Sequence, residues 1–156
     1  MNNDNTFLIN ETIMDIKKEN PSLKKINRQF YLLYTNDCKY ENGEYITTDK
    51  VLIEILMIEP STGNIIGTGM IDPELKNLEQ FIIDSRYRRQ GYGERFIKFV
   101  IRKFDVNNLR VITTNKNAIR LYEKCGFKKV DKKFEDSTWM YEMKLQKVIN
   151  LESYLI

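Results

Sequence analysis

Four arginines and two glycines lie within ten residues of one another and could bind a polyanion. The arginines are Arg86, Arg88, Arg89 and Arg95, and the glycines are Gly91 and Gly93. The glycines separate a strand-like segment, Leu78–Ile83, from a segment with helical spacing. First-turn N–H groups of a helix have no intrahelical partner and attract anions, and glycine lets a ligand approach the backbone closely. The pattern predicts a site for several phosphates, the alternative being a loop with solvated arginines.

This Gly-x-Gly pair fits neither of two common nucleotide-binding motifs. No Gly-Lys-Ser/Thr follows it, which excludes a P-loop. Phe96 stands where a dinucleotide-binding fold would have its third glycine.

A second group of polar residues follows in another segment with helical spacing. Asn115 is a candidate N-cap and Gly126 a candidate C-cap, and Ala118, Leu121 and Tyr122 recur at i, i+3 and i+4. The phenol of tyrosine has an ordinary pKa of about 10, so it holds its proton at neutral pH. Tyr122 is therefore either a proton donor or a packed aromatic ring.

Together the two segments resemble motifs A and B of the GNAT superfamily of N-acetyltransferases. Leu78 to Gly93 is similar to motif A, a strand followed by Arg/Gln-x-x-Gly-x-Gly/Ala, although Arg89 and Gln90 replace the common Gly-Lys pair. Asn115 to Phe127 is similar to motif B, Asn-x-x-Ala-x-x-Leu-Tyr-x-Lys-x-Gly-Phe, at every fixed position. The resemblance implies transfer of an acetyl group from acetyl-CoA directly to an amine.

The resemblance also implies a role for each site residue. The loop amides that would bind the coenzyme A pyrophosphate are those of Arg88, Arg89, Gln90, Gly91, Tyr92, Gly93 and Glu94. Further coenzyme contacts are expected from Ile82, Ile83, Asn115, Asn117, Tyr122 and Lys124. The N–H of Ile83 would polarise the acetyl carbonyl, and Tyr122 would protonate the departing thiolate. Asn115 would bind the pantetheine or a catalytic water, and Lys124 would lie near the phosphates.

The acceptor amine needs a base, because an amine with a pKa of about 10 is protonated at neutral pH and only its neutral form attacks a thioester. Glu79 is the candidate, since several family members carry a carboxylate on this strand that acts through water. Its alternative roles are an ion pair with a basic residue or attraction of a cationic substrate.

Several acceptors fit the sequence. The segment Leu78–Asp84 is also similar to polyamine-acetylating members, which favours a small polyamine. Aminoglycosides, amino acids, protein N-termini and lysine side chains stay open. Four residues of one polar stretch form either an anionic, aromatic rim for a cation or a solvated loop. They are Asp37, Glu41, Glu44 and Tyr45.

The composition restricts the other function classes. The chain has no histidine and only two cysteines, which excludes Ser–His and Cys–His nucleophiles and a zinc site of ordinary Cys/His spacing. We expect no metal. The net charge of +3, from 25 basic and 22 acidic residues, is small for a nucleic-acid-binding protein. No apolar run spans a bilayer and the first residues do not resemble a signal peptide, so we expect no membrane partner and a cytoplasmic location. A homodimer stays open, as does a non-catalytic acyl-CoA sensor.

The predicted elements form one α/β domain over 1–156, with a tail at 146–156. We expect a mixed central sheet of about six to seven strands flanked by helices. The helices are predicted from a cap at Asn10 or Thr12 to Lys18, from Asn20-Pro21 to Leu33, from Gly91 to Phe104, and from Asn115 to Lys124. The third has a predicted apolar face of Phe96, Phe99, Val100 and Phe104. The strands are predicted at Phe7–Ile9, Val51–Ile58, Ile65–Ile71, Leu78–Ile83, Leu109–Thr113, Lys128–Phe134 and Thr138–Leu145. The polar stretch from Asn36 to Thr48 contains a turn at Asn42-Gly43.

Overall fold

The structure, a computed structural model, describes residues 7–146 and forms two compact units that meet in the chain between Val106 and Asn107. The first unit contains α1 (Ile13–Glu19), β1 (Lys24–Lys25), β2 (Phe30–Glu41), β3 (Glu44–Ile58), β4 (Ile65–Asp72), β5 (Asn77–Ile83), a short 3₁₀ helix (Ser85–Tyr87) and α2 (Tyr92–Phe104). The second unit contains β6 (Asn108–Ile112), α3 (Lys116–Lys124), β7 (Phe127–Glu135) and β8 (Thr138–Leu145). The tail from residue 147 onward lies outside the described residues.

In the first unit the five strands form an antiparallel meander in chain order. β2 and β3 turn at Asn42-Gly43, where both residues have positive φ (51° and 82°), the backbone that a two-residue hairpin turn requires. β3 pairs with β4 only from Ile53 to Ile58. The rest of the β2–β3 hairpin therefore extends beyond β4 as a two-stranded ribbon.

Helix α2 covers one face of this meander. Its Phe96, Ile97 and Val100 have no exposed surface, whereas Phe99 and Phe104 of the predicted apolar face are partly buried. The Phe96 ring packs so closely on Gly69 that a Cβ there would lie 2.8 Å from ring carbons. A glycine at this position on β4 is therefore what lets the helix approach the sheet.

Helix α1 begins as the sequence predicts. The Thr12 hydroxyl accepts a hydrogen bond from the N–H of Asp15, and the Asp15 carboxylate accepts one from the N–H of Thr12. Ile13 is buried in a cluster with Tyr31 and Leu56. The cluster fixes α1 to the meander.

In the second unit β8 lies between β6 and β7, and both pairings are antiparallel. Asn115 caps α3, accepting a hydrogen bond from the N–H of Ala118. At the far end of the β7–β8 hairpin, Trp139 packs edge-on against Phe134 with ring centroids 5.3 Å apart. The Lys132 ammonium lies 5.2 Å from the centre of the Trp139 ring.

The predicted α/β class is confirmed, and the described residues form eight strands rather than six or seven. Two element predictions are wrong. Leu23–Leu33 is not helical but contains β1 and the start of β2, and Phe7–Ile9 forms no strand. The predicted polar stretch from Asn36 to Thr48 is mostly strand, with its turn where expected. Within residues 7–146, no helix is long and apolar enough to cross a membrane.

Candidate active site

The loop after β5 is anchored by the carboxylate of Asp84, which is fully buried. Its Oδ1 accepts hydrogen bonds from the N–H and the Nε of Arg86, at 2.8 and 3.0 Å. Its Oδ2 accepts from a terminal nitrogen of Arg86 and from the N–H of Ile9, both at 2.7 Å. The hydrogen bonds from Arg86 outweigh burial and lower the pKa of Asp84 to about 2. Arg86 therefore anchors the loop, and its guanidinium faces this carboxylate rather than a phosphate site.

The next two arginines differ from Arg86 and from each other. Arg88 donates from Nε to the carbonyl oxygen of Ile83 at 3.0 Å, which ties the loop to the end of β5. Arg89 has a positive φ of 63° and is exposed. The amide of Gln90 donates to the carbonyl of Arg86 at 3.2 Å and closes the loop on itself. Of these predicted loop residues, Arg89 presents the cation most open to a ligand.

Gly91 begins α2 in the left-handed conformation, with φ at 83°. It provides no side-chain cap, so the N–H groups of Tyr92 and Gly93 in the first turn face outward from the helix end. A Cβ built on Gly91 would meet no atom within 4 Å, so the space in front of this backbone is open. Open backbone, a positive helix end and exposed Arg89 fit a pyrophosphate.

Two further residues border this helix end. The Arg95 guanidinium lies 5.9 Å from the centre of the Tyr92 ring and donates to the side-chain oxygen of Gln29 at 3.2 Å. The Glu94 carboxylate pairs with Lys98, one turn further along, at 3.0 Å. Glu94 thus pairs along α2, whereas Arg95 contacts Gln29 outside the helix.

Glu79 lies at an irregularity in the sheet. β4 and β5 pair through Met70 with Gln80 and then Ile71 with Leu78, which leaves Glu79 as the extra residue of a β-bulge with an exposed side chain. Bulges re-aim side chains, so Glu79 leaves the regular alternation of β5.

An ion pair lies close to Glu79. The ammonium of Lys50 is 2.8 Å from an oxygen of the fully buried Asp72 carboxylate. The pKa of Lys50 is raised, first by this hydrogen bond and its charge and further by the charges of Glu79 and Asp37. Burial would raise the pKa of Asp72, but Lys50 and two backbone N–H groups hold it below its usual value. The arrangement agrees with the alternative in which Glu79 interacts with a basic residue.

A second carboxylate, Glu54, was missed by the sequence prediction. It is half-buried on β3 and lies across β4 from Gln80, because Glu54 pairs with Met70 and Met70 with Gln80. Burial first, and the charge of Glu11 second, raise its pKa. The available signal was a single carboxylate interrupting the apolar run Val51–Ile58.

In the second unit α3 holds the predicted motif B residues. Tyr122 is buried, with 7% of its surface exposed, and packs edge-on against Phe127. Burial, and to a lesser extent the charge of Cys125, raises the pKa of Tyr122 to about 12. Asn115 caps the helix through its side chain, and Asn117 accepts a hydrogen bond from Arg120 at 2.6 Å. Lys124 is exposed in the last turn.

Comparisons with known proteins identify the family and the fold. The sequence model described as the Acetyltransferase (GNAT) family matches residues 19–127, well over half of the chain. No curated protein sequence matches the chain. Among solved structures, a chimera of the spermidine N-acetyltransferase SpeG from Vibrio cholerae and hSSAT is 18% identical, with a TM-score of 0.53 over 81% of this chain and 98% of that one.

Two further structures have a similar fold. Another SpeG chimera from Vibrio cholerae and hSSAT is 20% identical, with a TM-score of 0.50 over 62% of this chain and 70% of that one. A chain of the NatC complex bound to Gag peptide and CoA is 18% identical, with a TM-score of 0.52 over 61% and 71%. At these identities the likeness concerns the fold, while the family match carries the classification. The chain therefore belongs to the Acetyltransferase (GNAT) family, whose members are acyltransferases.

Proposed function

We propose that this chain transfers the acetyl group of acetyl-CoA directly to a primary amine, with a small polyamine as the first candidate acceptor. The observation that carries the proposal is Gly91, whose left-handed backbone begins α2 with open space in front of it. The SpeG chimeras named above are described as spermidine N-acetyltransferases. Their similar fold, together with the resemblance of β5 to the sequence of polyamine-acetylating family members, makes polyamines the amines to test first.

In this proposal the loop residues bind the coenzyme. The amides of the loop and of the first turn of α2 would bind the pyrophosphate, with Arg89 adding a cation. Ile82 and Ile83 would align the pantetheine arm, and Arg88 would hold the end of β5 in place through its bond to Ile83. Acetyl-CoA supplies the activated thioester. Asn115, Asn117 and Lys124 would complete the coenzyme contacts from α3.

Tyr122 would donate a proton to the departing sulfur. With a pKa of about 12 the phenol is fully protonated at neutral pH, as a donor must be. Relative to a free thiol of pKa about 8.5, complete transfer would be uphill by about 5 kcal/mol. Burial raises the pKa of a thiol as well, because it disfavours the charged form. The difference between the pKa of the phenol and the pKa of the thiol is therefore smaller in the site. Tyr122 would thus act first as a hydrogen-bond donor to the sulfur.

Removal of the ammonium proton would fall to Glu79, which is exposed and can pass a proton to solvent. Glu54 is the second candidate, because burial raises its pKa from the ordinary value of a carboxyl toward neutral pH. The cytoplasmic location and the absence of nucleic-acid and membrane partners stay predictions from the sequence.

The test is release of free thiol from acetyl-CoA in the presence of a panel of amines. We expect turnover with at least one amine, and mass spectrometry should find that amine heavier by one acetyl group. The alternative, a non-catalytic acyl-CoA sensor, predicts acetyl-CoA binding by calorimetry with only slow background hydrolysis for every amine. Absence of acetyl-CoA binding would contradict both.

A further inference from the structure

The β2–β3 arm, residues 37–49, is a ribbon of two strands with which no other strand of residues 7–146 pairs. β4 pairs only with Ile53 to Ile58 of β3, and β1 pairs only with Tyr31 and Leu32 of β2. An isolated two-stranded hairpin is at best marginally stable in water. The register shifts at the base of the arm, between Asn36 and Cys38, and from Cys38 the strands pair regularly to the tip, where Glu41 pairs with Glu44.

The tip of the arm combines exposed aromatic rings with negative charge. Tyr40 and Tyr45 lie opposite each other with ring centroids 5.0 Å apart, and they are 64% and 80% exposed. Glu41 and Glu44 form the next pair, and like charges directly opposite each other destabilise a hairpin. Lys39 offsets one of them through its pair with Glu41 at 3.0 Å. A cationic, partly aromatic partner would stabilise this tip.

Such a surface exists elsewhere on the same unit, along α2. A groove of about 570 Å³, here called the α2 groove, is lined by Phe30, Gly91, Glu94, Arg95, Lys98, Phe99, Arg102 and Lys103. Four of these residues are cationic and one is anionic. The rings of Phe30 and Phe99 stack in it with centroids 3.8 Å apart. The α2 groove is therefore complementary to the arm tip in charge and in aromatic character.

The arm of one copy cannot reach its own α2 groove. Phe30 is the first residue of β2 and Glu41 is the last. At about 3.3 Å per residue, the eleven steps between them span about 36 Å. The groove and the tip thus lie at opposite ends of one strand. Two copies related by a twofold axis, with their β2 strands antiparallel, would bring each tip to the groove of the other.

We propose that the β2–β3 arm of one copy docks in the α2 groove of a second copy, and that the two copies exchange arms in a symmetric dimer. Such an interface is self-complementary, because the same two surfaces meet twice. Each dimer contains two tip-to-groove contacts, so a change in either surface acts twice. The groove shares Gly91 and Glu94 with the proposed coenzyme site, but the inference rests on the charge and the aromatic rings of the two surfaces and on no reacting group.

Charge reversal tests this directly. The arm variant carries Glu41→Lys and Glu44→Lys, and the groove variant carries Arg102→Glu and Lys103→Glu, at the end of the groove far from Gly91. By light scattering after gel filtration, the unmodified chain should be dimeric at micromolar concentration and should dissociate as salt is raised. Each variant alone should be monomeric, with its dimer dissociation constant raised at least tenfold.

Restoration is the decisive measurement. An equimolar mixture of the two variants should form a heterodimer, because each tip then meets a groove of opposite charge. All four changes in one chain should restore the homodimer. A monomeric unmodified chain, or a dimer that neither variant weakens, would overturn the inference.

A coenzyme-binding measurement distinguishes the arm of a second copy from acetyl-CoA as the occupant of the α2 groove. Acetyl-CoA affinity by calorimetry should be unchanged in both variants. If the groove variant loses affinity while its mass does not change, the α2 groove binds the coenzyme and the docking proposal is wrong. Loss of dimerisation in the groove variant with unchanged thiol release would leave the proposed function intact.

Discussion

The Arg86 guanidinium holds both carboxylate oxygens of Asp84, with Nε 3.0 Å from Oδ1 and a terminal nitrogen 2.7 Å from Oδ2. The folded pKa of about 2 lies below the ordinary 3.8, so the carboxylate stabilises the fold above pH 4. That contribution, about 2 kcal/mol, is lost as pH falls from about 4 to 2. We therefore expect Asp84→Asn to lower the free energy of unfolding in urea by about this amount at pH 7 and by much less at pH 2.

Asp136→Asn is the control for Asp84→Asn. Asp136 is exposed in the β7–β8 turn with φ at 50°, a conformation that asparagine tolerates. The Asp136→Asn substitution should leave the free energy of unfolding unchanged at both pH 7 and pH 2. An equal loss for Asp84→Asn at pH 7 and pH 2 would show that its charge is not what stabilises the loop.

Acetyl-CoA affinity should depend on the backbone of Gly91. Gly91→Val places a branched side chain in the open space before α2 and strains a residue with φ at 83°. We expect the dissociation constant for acetyl-CoA, measured by calorimetry, to rise at least tenfold. Gly43→Val is the matched control, because Gly43 has almost the same φ (82°) but lies in the turn of the β2–β3 arm. Equal affinities for the two variants would remove the phosphate site from this loop.

Turnover should depend on the hydroxyl of Tyr122. Tyr122→Phe removes one oxygen and keeps the ring that packs on Phe127. If the phenol donates to the departing sulfur, kcat should fall about 10²-fold with unchanged acetyl-CoA affinity. Tyr31→Phe, which removes the hydroxyl of a buried tyrosine in the first unit, should keep kcat. A Tyr122→Phe enzyme with full kcat would assign Tyr122 to packing alone.

The two candidate bases can be separated by pH profiles of kcat/KM. Glu79→Gln should lower kcat/KM on the acidic limb of the profile. The value of kcat/KM should recover at high pH, where the free amine is abundant. If Glu79 only attracts a cationic substrate, KM should rise at constant kcat, and added salt should have the same effect on the unmodified enzyme. Glu54→Gln is the parallel variant. A changed acidic limb for Glu54→Gln with an unchanged one for Glu79→Gln would reassign the base.

The parts of the fold that local spacing could predict are those with a strong periodic pattern. The apolar face of α2, the cap of α3 and the Asn42-Gly43 turn were all predicted because each depends on residues close in sequence. The segment Leu23–Leu33 also has helical spacing, yet it forms strands. Asn20 there ends α1, its side chain donating to the carbonyl of Ile16, instead of starting a new helix. Pairing of Phe30 to Leu32 with β3 then determines the strand.

The site shows the same division between local and distant contacts. The start of α2 at Gly91 follows from neighbouring residues and was predicted. The role of Arg86 was not, because it depends on Asp84 being buried and on contact with Ile9, 77 residues away. The same holds for Glu54, whose neighbours Met70 and Gln80 belong to other strands. Contacts between residues that are distant in sequence decide which charges are available for a ligand, and local spacing does not contain these contacts.

Trp139 is the only tryptophan in the chain, and it lies half-exposed against Phe134 and Lys132 in the second unit. Its fluorescence is therefore an optical signal of the β7–β8 hairpin alone. Backbone circular dichroism, in contrast, is dominated by the larger first unit. A thermal scan that records both signals measures the cooperativity of the molecule. One shared midpoint would mean that the hairpin melts with the meander, and an earlier loss of the tryptophan signal would mean that the hairpin opens independently.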